Sequence, residues 1–218
     1  MNTTMKRLSE IFAWTTLLFA AGAVLFFSKT AALPYKVAYP VLLLGLSTLL
    51  LRRRELYPIG VAFLLSAAGD VMGAKHLFIA QMAFFALAHV AYIWWFLPRA
   101  RRAPRVLSLA VVVPLLLFLF IGIVPNAPFP AEFIGVAVYG LVIAGMLYSV
   151  LQYEGIYSVG FRCAALLFVF SDSVIAWNRF IGPVPARTYV IMVTYYLAQY
   201  LFFCFALKSL GRDAASRL

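Results

Sequence analysis

Two aspartates lie within long apolar stretches of this sequence, where an ionised side chain is unfavourable. Asp70 lies within residues 56–73 and Asp172 within residues 159–180. An aspartate at the centre of a membrane-embedded helix costs about 2.5–3.5 kcal/mol on insertion scales, and such residues usually face the interior of the helix bundle and mark a functional site. We therefore expect the two carboxyl groups to share one cavity and to carry out proton-transfer chemistry there. The alternative is that each aspartate only hydrogen-bonds a neighbouring helix.

Other hydrogen-bonding side chains lie in or beside the same kind of stretch and could support this chemistry. They are Lys36, Ser66, His89, Tyr92, Ser171, Asn178, Tyr195, Tyr196 and Gln199. Ser66 precedes Asp70 by one helical turn and shares its helix face. His89 is either a hydrogen-bonded packing residue or a proton-transfer partner. Lys36 either extends to water or pairs with a carboxylate or a phosphate.

The remaining reactive residues predict neither a metal site nor a cofactor site. The chain has two histidines and two cysteines, and neither histidine has a second metal-ligand residue one helical turn away. We interpret Cys163 and Cys204 as buried small hydrophobic residues, His76 as an exposed turn residue and Arg179 as an anchor at the membrane interface. No metal and no cofactor are expected.

Composition indicates the environment that must hold these side chains. Hydrophobic residues make up 65% of the 218 residues and charged residues 11%, with a mean hydropathy of +0.98, whereas a soluble domain has about 25% charged residues. The net charge is +11, but the basic residues form short clusters between apolar stretches. Such clusters set membrane orientation and favour anionic lipids, so no nucleic-acid partner is expected.

Eight apolar stretches predict an all-α, polytopic membrane helix bundle with about eight transmembrane helices. They cover residues 11–28, 36–51, 56–73, 77–97, 106–124, 133–151, 159–180 and 188–207. Lys6 and Arg7 precede the first stretch, as in a signal peptide, but the stretch exceeds the usual apolar region of about 7–15 residues. We therefore interpret it as an uncleaved first span, and residues 1–218 as a single transmembrane domain.

The distribution of basic residues predicts that both termini lie in the cytoplasm. With the N-terminus inside, the inner segments hold Lys6, Arg7, Arg52, Arg53, Arg54, Arg99, Arg101, Arg102, Arg105, Arg162, Lys208, Arg212 and Arg217, and the outer segments hold Lys29, Lys36, Lys75, Arg179 and Arg187. The positive-inside rule favours this N-in/C-in orientation. Short loops with this bias are typical of a bacterial inner membrane.

Four short motifs, in order along the chain, resemble the YhhN-like family of integral membrane proteins. They are SAAGD at 66–70, AHVAY at 88–92, FVFSDS at 168–173 and TYYLAQ at 194–199. Tyr139 also fits the family pattern, and the resemblance covers most of the chain. It implies eight spans. It also implies an activity, because the characterised members of the family are lysoplasmalogenases, which are alkenyl ether hydrolases.

The resemblance implies hydrolysis of the vinyl ether of a lysophospholipid within the bilayer, giving a fatty aldehyde and a glycerophospho-alcohol. One carboxyl would protonate the vinyl ether, and the other would stabilise the oxocarbenium ion and orient water, as in glycoside hydrolysis. Asp70 and Asp172 would divide these roles, and His89, Tyr195 and Gln199 would orient water or relay protons. Lys36 would meet the lipid phosphate.

Two other functions fit the same residues. A proton-coupled transporter or flippase of a lipid-like substrate would use the aspartate pair as a proton relay. A non-catalytic lipid-binding protein would use the polar residues only to hold a headgroup. The residues alone do not separate an enzyme from a transporter, and they do not indicate the oligomeric state.

Overall fold

The computed structural model describes residues 3–28, 33–100 and 105–215, and eight α-helices follow one another within these ranges. They are α1 (Thr3–Phe27), α2 (Tyr39–Leu50), α3 (Tyr57–Ala74), α4 (Phe78–Phe96), α5 (Arg105–Leu117), α6 (Pro130–Leu151), α7 (Ser158–Phe180) and α8 (Arg187–Ala215). Each predicted apolar stretch forms one of these helices. The all-α bundle predicted from the sequence is therefore confirmed.

The helices match a membrane-spanning role in length and composition. Among the described residues, seven helices are long and apolar enough to cross a membrane, and the apolar segment Lys36–Leu50 is shorter. The protein is therefore an integral membrane protein. The predicted orientation remains a prediction, and Lys29, Arg101, Arg102 and Arg217, which contribute to its charge count, lie outside the described residues.

Prolines begin several helices and distort another. Pro40, Pro58 and Pro130 lie in the first turns of α2, α3 and α6, where a missing N–H leaves no hydrogen bond unmade. Pro114 lies inside α5, and α5 continues as a π-helical segment, Phe118–Ile123. Proline and π-turns both interrupt regular helical hydrogen bonding, so α5 presents an irregular wall to its neighbours.

The helices form a ring with α5 outside it. Contacts run from α1 through α2, α3, α4, α6, α7 and α8 and return to α1, while α5 packs mainly against α6. The contact between α3 and α4 is close because α3 has glycine where α4 approaches. A Cβ atom on Gly69 would lie 2.9 Å from the Phe85 ring, and one on Gly73 would lie 2.8 Å from the Gln81 amide. The two glycines therefore allow α3 and α4 to pack closely.

Two expectations from the sequence are wrong. Glu132, which the predicted stretch 133–151 leaves in the preceding loop, lies in the first turn of α6, is buried, and pairs with Arg179. The helix begins earlier than its apolar stretch because Pro130 starts it. Cys163 is exposed on α7 whereas Cys204 is buried, because the apolar surface around Cys163 faces outward from the bundle.

A tight turn at His76 joins α3 to α4. The His76 N–H donates to the Gly73 carbonyl (2.9 Å) and the Leu77 N–H to the Met72 carbonyl (2.9 Å), which is the Schellman pattern of a helix C-terminus. His76 has a φ of 60°, in the left-handed region that glycine adopts without a Cβ clash. Its side chain is exposed, as predicted.

Replacing His76 by glycine should stabilise the protein by about 1 kcal/mol, because the left-handed conformation costs a residue with a Cβ about 1–2 kcal/mol. Thermal unfolding in detergent, followed by circular dichroism, measures the effect. His76→Ala is the matched control and should give no gain, since it removes the imidazole but keeps the Cβ. Equal melting temperatures for the two variants would contradict this account of the turn.

Candidate active site

The carboxyl group of Asp172 is the centre of a hydrogen-bonded cluster of three helices. Tyr139, on α6, donates its hydroxyl proton to Asp172 Oδ2. His89 Nε2, on α4, lies 3.0 Å from the Tyr139 hydroxyl and 3.6 Å from Asp172 Oδ2. His89 is fully buried, and the Asp172 side chain is 10% exposed. The cluster therefore joins α4, α6 and α7 around one nearly buried carboxyl.

The hydrogen bonds of this cluster are compatible with one simple arrangement of its protons. A tyrosine hydroxyl has one proton, and Tyr139 uses it in the hydrogen bond that it donates to Asp172. Its oxygen can then accept from His89, which requires the proton of the imidazole to be on Nε2. His89, Tyr139 and Asp172 thus form a chain along which a proton can move toward the carboxyl group.

Asp70 belongs to a second cluster, between α3 and α8. The Tyr195 hydroxyl donates to Asp70 Oδ2 (2.9 Å), and Asp70 is buried. Further into the bundle, the Tyr92 hydroxyl of α4 donates to Gln199 Oε1 of α8 (2.6 Å). Tyr195 and Gln199, which lie on one face of α8, therefore hydrogen-bond to two different helices, α3 and α4.

Aromatic rings lie between the two clusters and contact residues of both. The Phe168 ring lies 4.8 Å from the His89 ring and 5.5 Å from the Tyr195 ring, centroid to centroid. Phe85 packs edge-on against both Phe168 and Tyr195. The two carboxyl groups have different hydrogen-bond partners, Tyr139 for Asp172 and Tyr195 for Asp70.

Three buried polar atoms beside the aspartates have no hydrogen-bond partner among the described residues. They are Ser66 Oγ, His89 Nδ1 and Gln199 Nε2. A buried polar group without a partner is unfavourable by about 1–3 kcal/mol, so each is a position at which water or a polar group of a ligand would bind favourably. These atoms favour a binding site over helix packing alone.

An apolar cavity opens beside Asp172, among α4, α5, α6 and α7. Its lining residues are Phe78, Gln81, Met82, Phe85, Leu115, Leu119, Val136, Tyr139, Ile143, Asp172, Ser173, Ile175, Ala176 and Phe180. Asp70 is not among them, so the expectation that both aspartates face one cavity is met only for Asp172. The reason is that α3 does not reach this side of the ring.

Four of the candidate residues bond the backbone instead of either aspartate. Lys36 Nζ donates to the Ser28 carbonyl (2.6 Å), the Tyr196 hydroxyl to the Val37 carbonyl (2.7 Å) and the Ser171 hydroxyl to the Ile191 carbonyl (3.1 Å), while Asn178 Oδ1 accepts from the Val184 N–H (3.2 Å). These contacts join helix ends and neighbouring helices. None of these four residues lines the cavity.

Sequence reasoning passed over two residues of the site. Tyr139 supported the family resemblance but gave no sign of a role, because a tyrosine in an apolar span is usually an ordinary packing residue. Gln81 was passed over although an amide within a span is a polar signal. Both line the cavity.

No group of metal-ligand residues is found within the described parts of the chain. The donors around Asp172 are a carboxylate, a phenol and one imidazole, a set suited to proton transfer. Acid–base chemistry in an apolar cavity is what this arrangement can support.

Comparison with known proteins gives matches to one family. The chain is 38% identical over 149 residues to the human protein named lysoplasmalogenase TMEM86B, covering 68% of this chain and 62% of that protein. It is 36% identical over 149 residues to the rat protein of the same name, covering 67% and 60%. The chain thus spans about three fifths of the length of these curated relatives. No solved structure matches the chain significantly.

The family model described as the YhhN family matches residues 31–205. This range includes both aspartates and every candidate site residue from Lys36 to Gln199. The chain therefore belongs to the YhhN family.

Proposed function

We propose that this protein is a membrane-embedded hydrolase that cleaves the vinyl ether bond of lysoplasmalogens to a fatty aldehyde and a glycerophospho-alcohol. The observation that carries the proposal is the Asp172 carboxyl, which lines an otherwise largely apolar cavity and is hydrogen-bonded to Tyr139. The curated relatives named lysoplasmalogenase support the choice of substrate. The partner is then a lysophospholipid within the bilayer, and no cofactor is needed.

The cavity suits the alkenyl chain of such a lipid. Its walls are mainly aliphatic and aromatic. One side is closed by Leu115 of α5 and Leu119 of the π-helical segment that continues it, and α5 packs outside the helix ring. A single-chain lipid can enter sideways past α5 and leave its headgroup at the outer surface. Van der Waals packing of the hydrocarbon chain against these walls holds the ether bond beside the carboxyl.

Asp172 would act as the acid of the reaction. Its proton adds to the β-carbon of the vinyl ether, and the positive charge is then shared by the α-carbon and the ether oxygen. Water attacks the α-carbon and loses a proton to the carboxylate. The re-protonated carboxyl then gives its proton to the glycerol oxygen as the C–O bond of the hemiacetal breaks, and it takes back the proton of the hemiacetal hydroxyl. Fatty aldehyde and glycerophospho-alcohol leave, and the site is unchanged.

Tyr139 and His89 would hold the Asp172 carboxyl in place through the hydrogen-bonded chain they form with it, and the carboxyl regains its proton from the attacking water. Asp70 would stabilise the positive charge from behind the Phe85 and Phe168 rings. Tyr195 and Gln199 would order water on that side, where Gln199 Nε2 and Ser66 Oγ are without partners. The same residues would serve a proton-coupled transporter or flippase, which the experiments below separate from a hydrolase.

The purified protein should release fatty aldehyde from a lysoplasmalogen and none from the saturated alkyl-ether analogue, because only a vinyl ether forms an oxocarbenium ion on protonation. Aldehyde is measured in mild detergent with ethanolamine and choline headgroups. Folded protein that releases no aldehyde from either would contradict the hydrolase. Proton-dependent lipid flux in proteoliposomes would then support the transporter.

Asp172→Asn should lower kcat by about a thousandfold, since positioned acid–base catalysis contributes about 10²–10⁴-fold. Asp70→Asn should also lower kcat strongly, by removing the charge that stabilises the cation. Glu154→Gln, at an exposed carboxylate, is the matched control and should leave turnover unchanged. Full activity in both aspartate variants would refute the assignment.

Tyr139→Phe should lower kcat by about tenfold and leave KM nearly unchanged, because it removes a hydrogen bond to the reacting carboxyl while keeping the ring that lines the cavity. Steady-state aldehyde release measures both constants. A normal kcat in this variant would show that the Tyr139 hydroxyl has no role in the reaction at Asp172.

We also propose that the protein lies in a bacterial inner membrane with both termini in the cytoplasm, on the strength of its basic residues. A C-terminal green fluorescent protein fusion should fluoresce and a C-terminal alkaline phosphatase fusion should be inactive, since the first folds in the cytoplasm and the second requires the periplasm. The opposite pair of results would reverse the orientation.

A further inference from the structure

A second polar pair lies on the same two helices as the Asp172–Tyr139 pair, nearer the predicted outer surface. Arg179 Nη2, on α7, donates to Glu132 Oε1, on α6, at 2.5 Å. The Glu132 side chain is 10% exposed and the Arg179 side chain 43%. The proposed reaction leaves this pair without a role, and burial of a carboxylate in an apolar bundle is unfavourable unless it is paired.

The register of the two helices aligns this pair with the reacting carboxyl. On α7, Arg179 follows Asp172 by seven residues, so the two share one face of that helix. On α6, Tyr139 follows Glu132 by seven residues and shares its face in the same way. Two helical turns rise about 10 Å. Between the pairs, Val136 on α6 and Ala176 on α7 line the cavity. The cavity therefore lies between the reacting carboxyl at one level and the ion pair at the other.

The Arg179 guanidinium lies at the outer rim of this cavity. It lies over the Phe78 ring at 4.2 Å and near the Phe180 ring at 5.8 Å, and both rings line the cavity. Among the described residues, Glu132 is the one hydrogen-bond partner of the guanidinium, which has five N–H donors. Donors therefore remain for an anion, and the exposed part of the side chain is open to one.

Glu132 provides an independent sign of a ligand. Its Oε2 atom is buried and has no hydrogen-bond partner among the described residues. A pair that served only to anchor α6 to α7 would leave this oxygen unfavourably placed. A cationic group of a ligand bound beside Arg179 would satisfy it.

We propose that the Arg179–Glu132 pair is the headgroup subsite of the cavity, where Arg179 binds the phosphate of a lysophospholipid and Glu132 selects zwitterionic over anionic headgroups. The proposal rests on the proposed hydrolase function and names the part of the protein that would recognise the headgroup. The extended chain from the vinyl ether to the phosphorus, through the glycerol, is about 8 Å at ordinary bond lengths. This length differs from the spacing of about 10 Å between the two pairs by less than the length of one hydrogen bond, about 3 Å.

Charge balance gives the selectivity. The ion pair is neutral as a unit, so a phosphoethanolamine or phosphocholine headgroup leaves the subsite neutral. An anionic headgroup would add uncompensated negative charge beside Glu132, where the low dielectric makes repulsion strong. Lys36, which the sequence assigned to the phosphate, bonds the Ser28 carbonyl and does not line the cavity.

The test uses non-hydrolysable 1-alkyl analogues, so it does not depend on turnover. Three probes differ in headgroup: 1-alkyl-lysophosphoethanolamine, 1-alkyl-lysophosphoglycerol and 1-alkylglycerol, which has no phosphate. Dissociation constants are measured in detergent for the wild type, Arg179→Gln, Glu132→Gln, Lys36→Gln and Arg187→Gln. Arg187 is an exposed arginine at the start of α8 and is the matched control.

Arg179→Gln should weaken binding of the phosphoethanolamine probe by about tenfold or more, as expected for loss of a charge-assisted hydrogen bond. Binding of 1-alkylglycerol should change by less than about twofold, and this probe also reports that the variant folds. Glu132→Gln should narrow the preference for phosphoethanolamine over phosphoglycerol several-fold. Arg187→Gln should match the wild type for all three probes.

Equal weakening of all three probes by Arg179→Gln would overturn the proposal and make the pair a structural anchor. Loss of phosphate recognition in Lys36→Gln, with none in Arg179→Gln, would also overturn it. Phosphate-selective binding in a protein that releases no aldehyde from a vinyl ether would support the subsite and refute the hydrolase. The two proposals thus fail separately.

Discussion

The two aspartates within this bundle find their hydrogen-bond partners on other helices, because hydrocarbon supplies none. Asp172 meets this requirement through Tyr139, which His89 contacts in turn, and that arrangement brings α4, α6 and α7 together. Asp70 meets it through Tyr195, between α3 and α8. The polar contacts that could carry out chemistry are therefore also contacts that hold the helices in register.

The cavity arises where α5 packs imperfectly against the helix ring. Pro114 and the π-helical segment Phe118–Ile123 interrupt α5, so this helix does not fit closely against α4 and α7. In contrast, Gly69 and Gly73 allow α3 and α4 to pack closely. Close packing on one side and an irregular helix on the other leave apolar space beside Asp172, where a lipid chain can lie.

The residues of the candidate site differ in how clearly the sequence alone indicates them. Asp70, Asp172 and His89 were identified because ionisable residues are rare in membrane helices and stand out against apolar neighbours. Tyr139 gave no such signal, since tyrosine is common in spans. Lys36 and Asn178 did stand out, yet they bond backbone groups at helix ends, because polarity in a sequence does not say toward which neighbour a side chain turns.

The sequence by itself determined that this is a membrane helix bundle, because long apolar stretches broken by basic clusters have no other stable arrangement. It also singled out Asp70, Asp172 and His89 as ionisable groups within apolar stretches, and its ordered motifs indicated the family. Only the tertiary structure decided that Asp172, and not Asp70, lines the cavity, and that Glu132 pairs with Arg179. The first depends on the place of α3 in the ring and the second on how α6 and α7 are rotated against each other, and contacts between helices set both.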